Sequence, residues 1–244
     1  MKRFALIGHP VAGSMSPVLF GAAYQGRYRY DLIDAPFREA WSQFLDSYHG
    51  INITAPYKQD AFASVDWLSA AAKACGAVNL AVKADDGSVR GYNTDVDGVV
   101  GAVRETGLAV SSALILGAGG AARAAIQGAK LLGCSSVTIA NRTLSKALEL
   151  AASMECSATP LEDIGAMNPD LVIYTIPGTA IPALTPGLLD AAIVLEADYR
   201  HPSLASAPCR RYIHGRRWLL WQAVAGYELF TGEKPDLKAM ASFL

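Results

Sequence analysis

Short apolar runs alternate with amphipathic stretches along the first hundred residues. Residues 4–7, 28–32 and 51–54 are rich in β-branched or aromatic side chains, whereas 16–24 and 38–48 repeat their apolar positions at helical spacing. Phe62, Val65, Leu68 and Ala72 continue that spacing up to Gly76, which predicts one helix stopping there. Asp86-Gly87 then offers a hairpin turn between strands over 78–82 and 89–92. A second series follows a joint helix near 97–106. It has strands over 113–116, 137–140, 171–175 and 193–197, with helices running through Leu132 and around 145–152. The strands of this series are nearly continuous apolar runs, the mark of parallel sheets covered on both faces, and their crossovers are right-handed. The pattern predicts an α/β chain with two doubly wound lobes.

Composition sharpens this picture mainly by exclusion. The 244 residues are 52% hydrophobic and 18% charged, against about 25% charged in an average soluble domain, so the chain buries a core and is not disordered. Its 21 basic and 22 acidic residues leave a net charge of −1. Arg210, Arg211, Arg216 and Arg217 are the nearest approach to a basic cluster, too little to recruit nucleic acid or an anionic membrane. The uncharged stretch 171–189 is interrupted by Pro177, Pro182 and Pro186, which excludes a membrane helix. The apolar run after Met1 is too short for a signal peptide, so the expected location is the cytoplasm. Cys75, Cys134, Cys156 and Cys209 lie far apart without a CxxC pair, and the four histidines are scattered. That is the pattern of reduced thiols, with no metal expected.

The strongest local signal is LILGAGGAARAA, in which Gly117, Gly119 and Ala122 stand in GxGxx(G/A) register after a strand and at a helix start. Such glycines permit a tight turn and close backbone approach, and the unpaired amides of Ala118, Gly119, Gly120 and Ala121 offer a seat for a pyrophosphate. About 20 residues further on, where an NAD-specific fold places a carboxylate, the chain has Asn141, Arg142 and Thr143. A guanidinium there pairs with a 2′-phosphate, so the expected cofactor is NADP(H). The competing reading of these three residues is an ordinary helix cap.

Three further polar islands fall where strands or turns end: 8–17 (GHPVAGSMSP), 50–58 (GINITAPYK) and 91–98 (GYNTDVDG). Ligands in open α/β sheets bind beyond the carboxyl ends of strands, so Ser14, Ser16, Thr54, Lys58, Asn79 and Asp95 are candidates to line one cleft facing the nucleotide. The plainer readings are a structural ion pair or helix caps for Lys58 and Asp95, and an N-cap before Pro17 for the serines. Trp218, Leu219 and Trp221 surround Gln222 with apolar bulk, which favours a satisfied buried amide or a ligand contact over a solvated position.

Taken in this order, with AVN at 77–79 and QA at 222–223, the islands resemble the shikimate dehydrogenase family over nearly the whole length. The resemblance implies a substrate-binding α/β domain over 1–100 plus 216–244 and a Rossmann-type NADP-binding domain over 101–215. It also implies reversible, NADPH-dependent reduction of 3-dehydroshikimate to shikimate, a step toward chorismate and the aromatic amino acids. Carried over by resemblance, Ser14 and Ser16 hold the substrate carboxylate, while Thr54, Asn79 and Gln222 bind the carboxylate side and ring hydroxyls. Lys58 and Asp95 form the catalytic acid/base pair. Tyr199 corresponds to a substrate-side tyrosine, and Gly215 to the glycine beside the nicotinamide. The partners implied are small molecules, with the chain a monomer or homodimer.

The chain also departs from the family pattern. Gly13 stands for a usual His, Leu80 for a usual Thr after Asn79, Tyr174 and Thr175 for the usual Asn and Ala, and the YxP element is stretched to Tyr199-Arg200-His201-Pro202. These positions leave open a paralogue acting on quinate, aminoshikimate or a related cyclic polyol acid. A non-catalytic NADP-binding module is the reading from another class, and retention of Lys58 and Asp95 speaks against it.

Overall fold

The computed structural model describes residues 2–178, 184 and 186–244. The chain divides into two compact units, one running to Thr94 and resumed by Gln222–Leu244, the other Asp95–Trp221. This division cuts the Asn93-Thr94-Asp95 run, whereas the sequence reading puts the changeovers at 100/101 and 215/216.

The first unit contains β1 (Arg3–Gly8), α1 (Ser16–Tyr24), β2 (Arg29–Asp34), α2 (Phe37–Ser47), β3 (Gly50–Ile53), α3 (Lys58–Ser64), β4 (Trp67–Leu68), α4 (Ala70–Cys75), β5 (Leu80–Lys83) and β6 (Val89–Tyr92). Its sheet has the order β2-β1-β3-β5-β6-β4. The strands β2, β1 and β3 are parallel, but β5 runs antiparallel to β3 and to β6. Gly87, at φ +84°, turns that hairpin as the Asp86-Gly87 pair predicts. One face of the sheet packs Ala5, Ile7, Ile51 and Ile53 against Phe44 of α2 and Tyr48 just past it.

The single helix expected over 62–76 is a correction. Val65 is extended after α3, and the N–H groups of Asp66 and Ser69 donate to the carbonyls of Val89 and Gly91 at 2.9 Å, so two residues leave the helix to pair with β6. Ser69 restarts the chain as α4 by accepting the N–H of Ala72 at 3.1 Å, and Gly76 ends it in the left-handed region.

The second unit holds α5 (Asp95–Arg104), β7 (Ser112–Leu116), α6 (Gly120–Leu131), β8 (Ser136–Ala140), α7 (Leu144–Ser153), β9 (Ser157–Thr159), a 3₁₀ turn (Leu161–Ala166), β10 (Leu171–Tyr174), α8 (Pro186–Leu189), β11 (Ile193–Glu196) and β12 (Arg211–His214). All six strands are parallel, in the order β9-β8-β7-β10-β11-β12. Within the unit this is the 3-2-1-4-5-6 winding of dinucleotide-binding sheets, whose direction reverses between β7 and β10. Of the three prolines in 171–189, Pro182 lies outside the described residues. No helix among the described residues is long and apolar enough to cross a membrane.

The last helices are α9 (Gly215–Thr231) and α10 (Leu237–Ala241). The part of α9 in the first unit covers the sheet face opposite α2. Phe230 stacks on Phe4 at 4.9 Å, and Tyr227 meets Phe20 edge-on at 4.8 Å. The Tyr227 hydroxyl donates to Ser16 O at 3.0 Å and that of Tyr24 to Tyr227 O at 2.8 Å. Burial pushes the Tyr24 phenol up to about 12.

Asp170 staples the bottom of the second sheet. Its Oδ2 accepts the N–H and hydroxyl of both Ser111 and Ser112 at 2.7–3.0 Å. These donors, the Ser111 hydroxyl foremost, hold the Asp170 carboxyl at about 2, against an ordinary 3.8. A carboxylate with a depressed folded pKa stabilises above its unfolded value and loses that contribution as pH falls. Asp170→Asn is therefore expected to lose about 1 kcal/mol at neutral pH, solvent screening included. Urea midpoints between pH 5 and 2 should fall less steeply for the variant than for wild type; parallel acid limbs would contradict this.

Candidate active site

In the first unit the polar islands come to the carboxyl end of the parallel strands. The chain leaves β1 through a turn in which Ser14 N–H donates to Val11 O at 3.2 Å, with Gly13 at φ +78°. Asp34, ending β2, accepts the Val11 N–H at 3.2 Å and pairs with His9 Nδ1 at 2.6 Å, so this loop is tied at its start. Ser14 Oγ accepts the N–H of Ser16, and the two hydroxyls lie 3.2 Å apart. Neither serine is the N-cap of α1, which is a correction to the capping alternative. Met15 occupies that position without a side-chain bond, and Ser16 is already helical with Pro17 behind it.

Thr54 follows β3, with its N–H on Ile7 O at 3.0 Å, and Lys58 is the first residue of α3. A cation in the first turn opposes the helix dipole, so helix stability gives no reason for a lysine there. Tyr57, not Lys58, occupies the N-cap.

Asn79 is 2% exposed and joins two distant segments. Its Nδ2 donates to Thr94 Oγ1 at 3.1 Å and to Gln222 Oε1 at 3.3 Å, while its Oδ1 accepts the Thr94 N–H at 2.7 Å. Two of the sequence candidates, Asn79 and Gln222, are thus in contact. Gln222 is half-buried, and its Oε1 accepts from Asn79. Thr94 was missed by sequence reasoning; its signal was its place beside Asp95. Asn52 and Tyr30 were missed as well, the Tyr30 hydroxyl donating to Asn52 Oδ1 at 2.8 Å.

In the second unit Asp95 is the first residue of α5, where an acid suits the helix dipole, and its carbonyl accepts from Trp218 Nε1 at 2.9 Å. The glycine turn lies between β7 and α6. Gly117 has φ +107°, and a Cβ there would lie 2.4 Å from Thr175 Oγ1, so only glycine fits. Gly119 is the N-cap of α6, and a Cβ on Gly119 or Gly120 would meet nothing within 4 Å. The backbone at Ala118, Gly119, Gly120 and Ala121 therefore presents an open helix start, the form that accepts a pyrophosphate.

Asn141, Arg142 and Thr143 connect β8 to α7. Thr143 is the N-cap of α7 but makes no side-chain capping bond, while Asn141 Nδ2 donates to Thr143 O at 3.1 Å. The run thus shapes a turn without serving as a side-chain cap. Arg142 is exposed, and Lys146, in the first turn of α7, adds a second exposed cation that sequence reasoning missed.

Tyr199 lies after β11, 5.7 Å from the Arg200 guanidinium. Its loop is built on two acids. Asp198 accepts the N–H groups of Arg200, His201 and Gly178; burial pulls its carboxyl up, but these donors outweigh it and hold it below the usual range. Fully buried Glu196 accepts from Ser203, Leu204 and the Tyr212 hydroxyl at 2.6–3.1 Å. Gly215 opens α9 against this strand end. A Cβ there would lie 2.6 Å from the carbonyl oxygens of both Glu196 and Ala197.

Comparison with known proteins decides the family. Residues 6–81 match the shikimate dehydrogenase substrate binding domain, and residues 102–184 match the shikimate / quinate 5-dehydrogenase model. The shikimate dehydrogenase (NADP(+)) of Alteromonas mediterranea is 33% identical over 260 residues, covering 97% of this chain and 93% of that protein. The chain belongs to the shikimate dehydrogenase family. Among solved structures of the family, the Thermus thermophilus enzyme in complex with NADP(H) and shikimate superposes with a TM-score of 0.88 at 30% identity, covering 99% of this chain and 98% of that one. A quinate dehydrogenase from Corynebacterium glutamicum in complex with NAD superposes with a TM-score of 0.87 at 26% identity, covering 99% and 97%.

Within this family, two of the departures turn out to be packing changes. Leu80 is fully buried and points toward α9, where a Cβ on Gly226 would lie 2.7 Å from its Cδ1. The larger side chain at 80 thus fits because position 226 has none. Tyr174 is fully buried in the core with Leu116, Val172 and Val194. Gly13 is different: it is exposed in a left-handed turn, with open space where a side chain would begin.

Proposed function

We propose that this chain catalyses the NADP-dependent, reversible reduction of 3-dehydroshikimate to shikimate, on the route to chorismate and the aromatic amino acids. The observation that carries the reading is one chain holding both halves of the chemistry. A glycine turn opening α6 and the exposed Arg142 after β8 stand in the second unit, and the Asn79–Gln222–Thr94 network stands in the first, which also carries Ser14, Ser16 and Thr54. The near full-length relation to NADP(+)-dependent shikimate dehydrogenases supports it. The free thiols of Cys134, Cys156 and Cys209 fit a reducing cytoplasm.

The open helix start at Gly119 and Gly120 and the space closed beside Gly117 suit a dinucleotide. The amides of 118–121 would take the pyrophosphate, Asn141, Arg142 and Thr143 the adenosine end, and Gly215 the nicotinamide side. When bound, NADPH supplies the hydride for the ketone carbon. Ser14 and Ser16 hold the substrate carboxylate through their hydroxyls; Thr54, Asn79, Gln222 and Tyr199 orient the ring. Lys58 would stabilise the negative charge that develops on the ketone oxygen and deliver its proton, with Asp95 as the other member of the acid/base pair. In the reverse direction the same pair removes the hydroxyl proton.

Leu80 and Tyr174 are fully buried, and the relatives matched over nearly the full length are shikimate dehydrogenases, which supports shikimate over another polyol acid. The test is the rate of NADP reduction by purified protein with shikimate, beside quinate and beside NAD at matched concentrations. Fast turnover selective for shikimate and NADP is expected. Faster turnover of quinate would replace this reading with the quinate one, and NADPH binding without turnover of either acid would replace it with a related cyclic polyol acid as substrate or, if none is turned over, with a binding module.

A further inference from the structure

Thr175 stands where the family pattern has alanine, directly after β10 and beside the glycine turn. Its hydroxyl donates to Leu116 O at 2.7 Å, and its own N–H donates to the same carbonyl at 2.9 Å. On the other side of the same peptide group, Gly117 N–H donates to Ala140 O at 2.9 Å. The peptide plane that starts the dinucleotide turn is therefore gripped from β10 through its oxygen and from β8 through its hydrogen. It also sits where the sheet reverses direction, the place at which ligands bind in such folds. Thr175 Oγ1 additionally fills the space that a Cβ on Gly117 would enter.

We infer that Thr175 is a positioning residue for the cofactor: its hydroxyl fixes the Leu116–Gly117 peptide, and through it the amides that receive the pyrophosphate. A carbonyl held by two donors is less free to rotate than one held by a backbone N–H alone, and amides aimed in advance lose less on binding. This rests on reading 117–121 as the pyrophosphate seat. Because the pyrophosphate is common to both dinucleotides, the effect must fall equally on NADPH and NADH, unlike that of a residue reading the 2′-phosphate.

The experiment compares wild type with Thr175→Val, which keeps the shape and removes the hydroxyl, and with Thr175→Ser, which restores it. Dissociation constants for NADPH and NADH are measured by calorimetry, with melting temperatures, the KM for shikimate and kcat at saturating NADP alongside. Thr175→Val is expected to weaken both cofactors by the same factor, about five- to tenfold, with the KM for shikimate within about twofold, and Thr175→Ser to recover most of the loss. Thr175→Ala should repeat the loss without the valine methyl. Unchanged cofactor affinity in the Val and Ala variants, or a loss that serine does not recover, would overturn the inference while the cofactor reading stands. Wild-type protein that bound neither dinucleotide would overturn the cofactor reading and this inference with it.

Discussion

Lys58→Ala is expected to lower kcat for shikimate oxidation by about 10²- to 10⁴-fold, the usual worth of a positioned acid–base group, with NADPH binding and fold retained. Hydride transfer and proton transfer are both needed to interconvert a ketone and an alcohol, and the two motifs involved supply an ammonium, Lys58, and a carboxylate, Asp95. The helix dipole disfavours a cation such as Lys58 at the start of α3, so the dipole is not a reason for its place there. Asp95 does have such a reason at the start of α5, so its variant is the more demanding test. Asp95→Asn keeps the shape and most hydrogen-bonding capacity while removing the charge, and the same loss in kcat is expected. Steady-state rates with shikimate and NADP, next to NADPH affinity and circular dichroism, separate the outcomes. Turnover near wild type in either variant removes that residue from the acid/base pair.

The features legible in the sequence are those whose cause is local. The glycine turn could be read because tight turning and phosphate approach need glycine whatever lies elsewhere. The βαβ rhythm could be read because buried parallel strands are continuous apolar runs. What failed depended on distant pairing. The run through Phe62, Val65, Leu68 and Ala72 has helical spacing, yet Asp66 and Ser69 give their N–H groups to β6, more than 20 residues away, and the helix breaks in two. Strands β9 and β12 are three and four residues long and carry exposed or polar positions, so no apolar run announced them.

The site shows the same division. Asn79 and Gln222 are 143 positions apart, and only the family resemblance named them together; Thr94, which completes their network, was passed over because its neighbour Asp95 carried the chemistry. Glu196 reads as a polar strand end, and nothing local says that Ser203, Leu204 and Tyr212 satisfy it in full burial. The departures at Leu80 and Tyr174 leave the substrate open in the sequence because sequence order does not reveal which face a side chain takes. Their burial, and the glycine opposite Leu80, give the physical reason they are tolerated.

Arg142→Ala is expected to raise the KM for NADP about 10- to 100-fold while leaving the KM for NAD within about twofold. Hydrogen bonds to a charged partner contribute about 1.5–3 kcal/mol, which converts to that range. The turn supports such a role. Thr143 spends no side-chain bond on capping α7, Asn141 braces the turn through Thr143 O, and no carboxylate stands between 141 and 146 to repel a phosphate. Arg142 and Lys146 are both exposed, so their attraction for a dianion is screened by salt. The preference for NADP over NAD should therefore shrink as ionic strength rises, and shrink less in the Arg142→Ala variant, which has one cation fewer to screen. Lys146→Ala should produce the same selective loss on a smaller scale. An equal loss for NADP and NAD on removing Arg142 would mean that the guanidinium shapes the turn and does not read the 2′-phosphate, and the basis of cofactor choice would then have to lie in Asn141, Thr143 and Lys146.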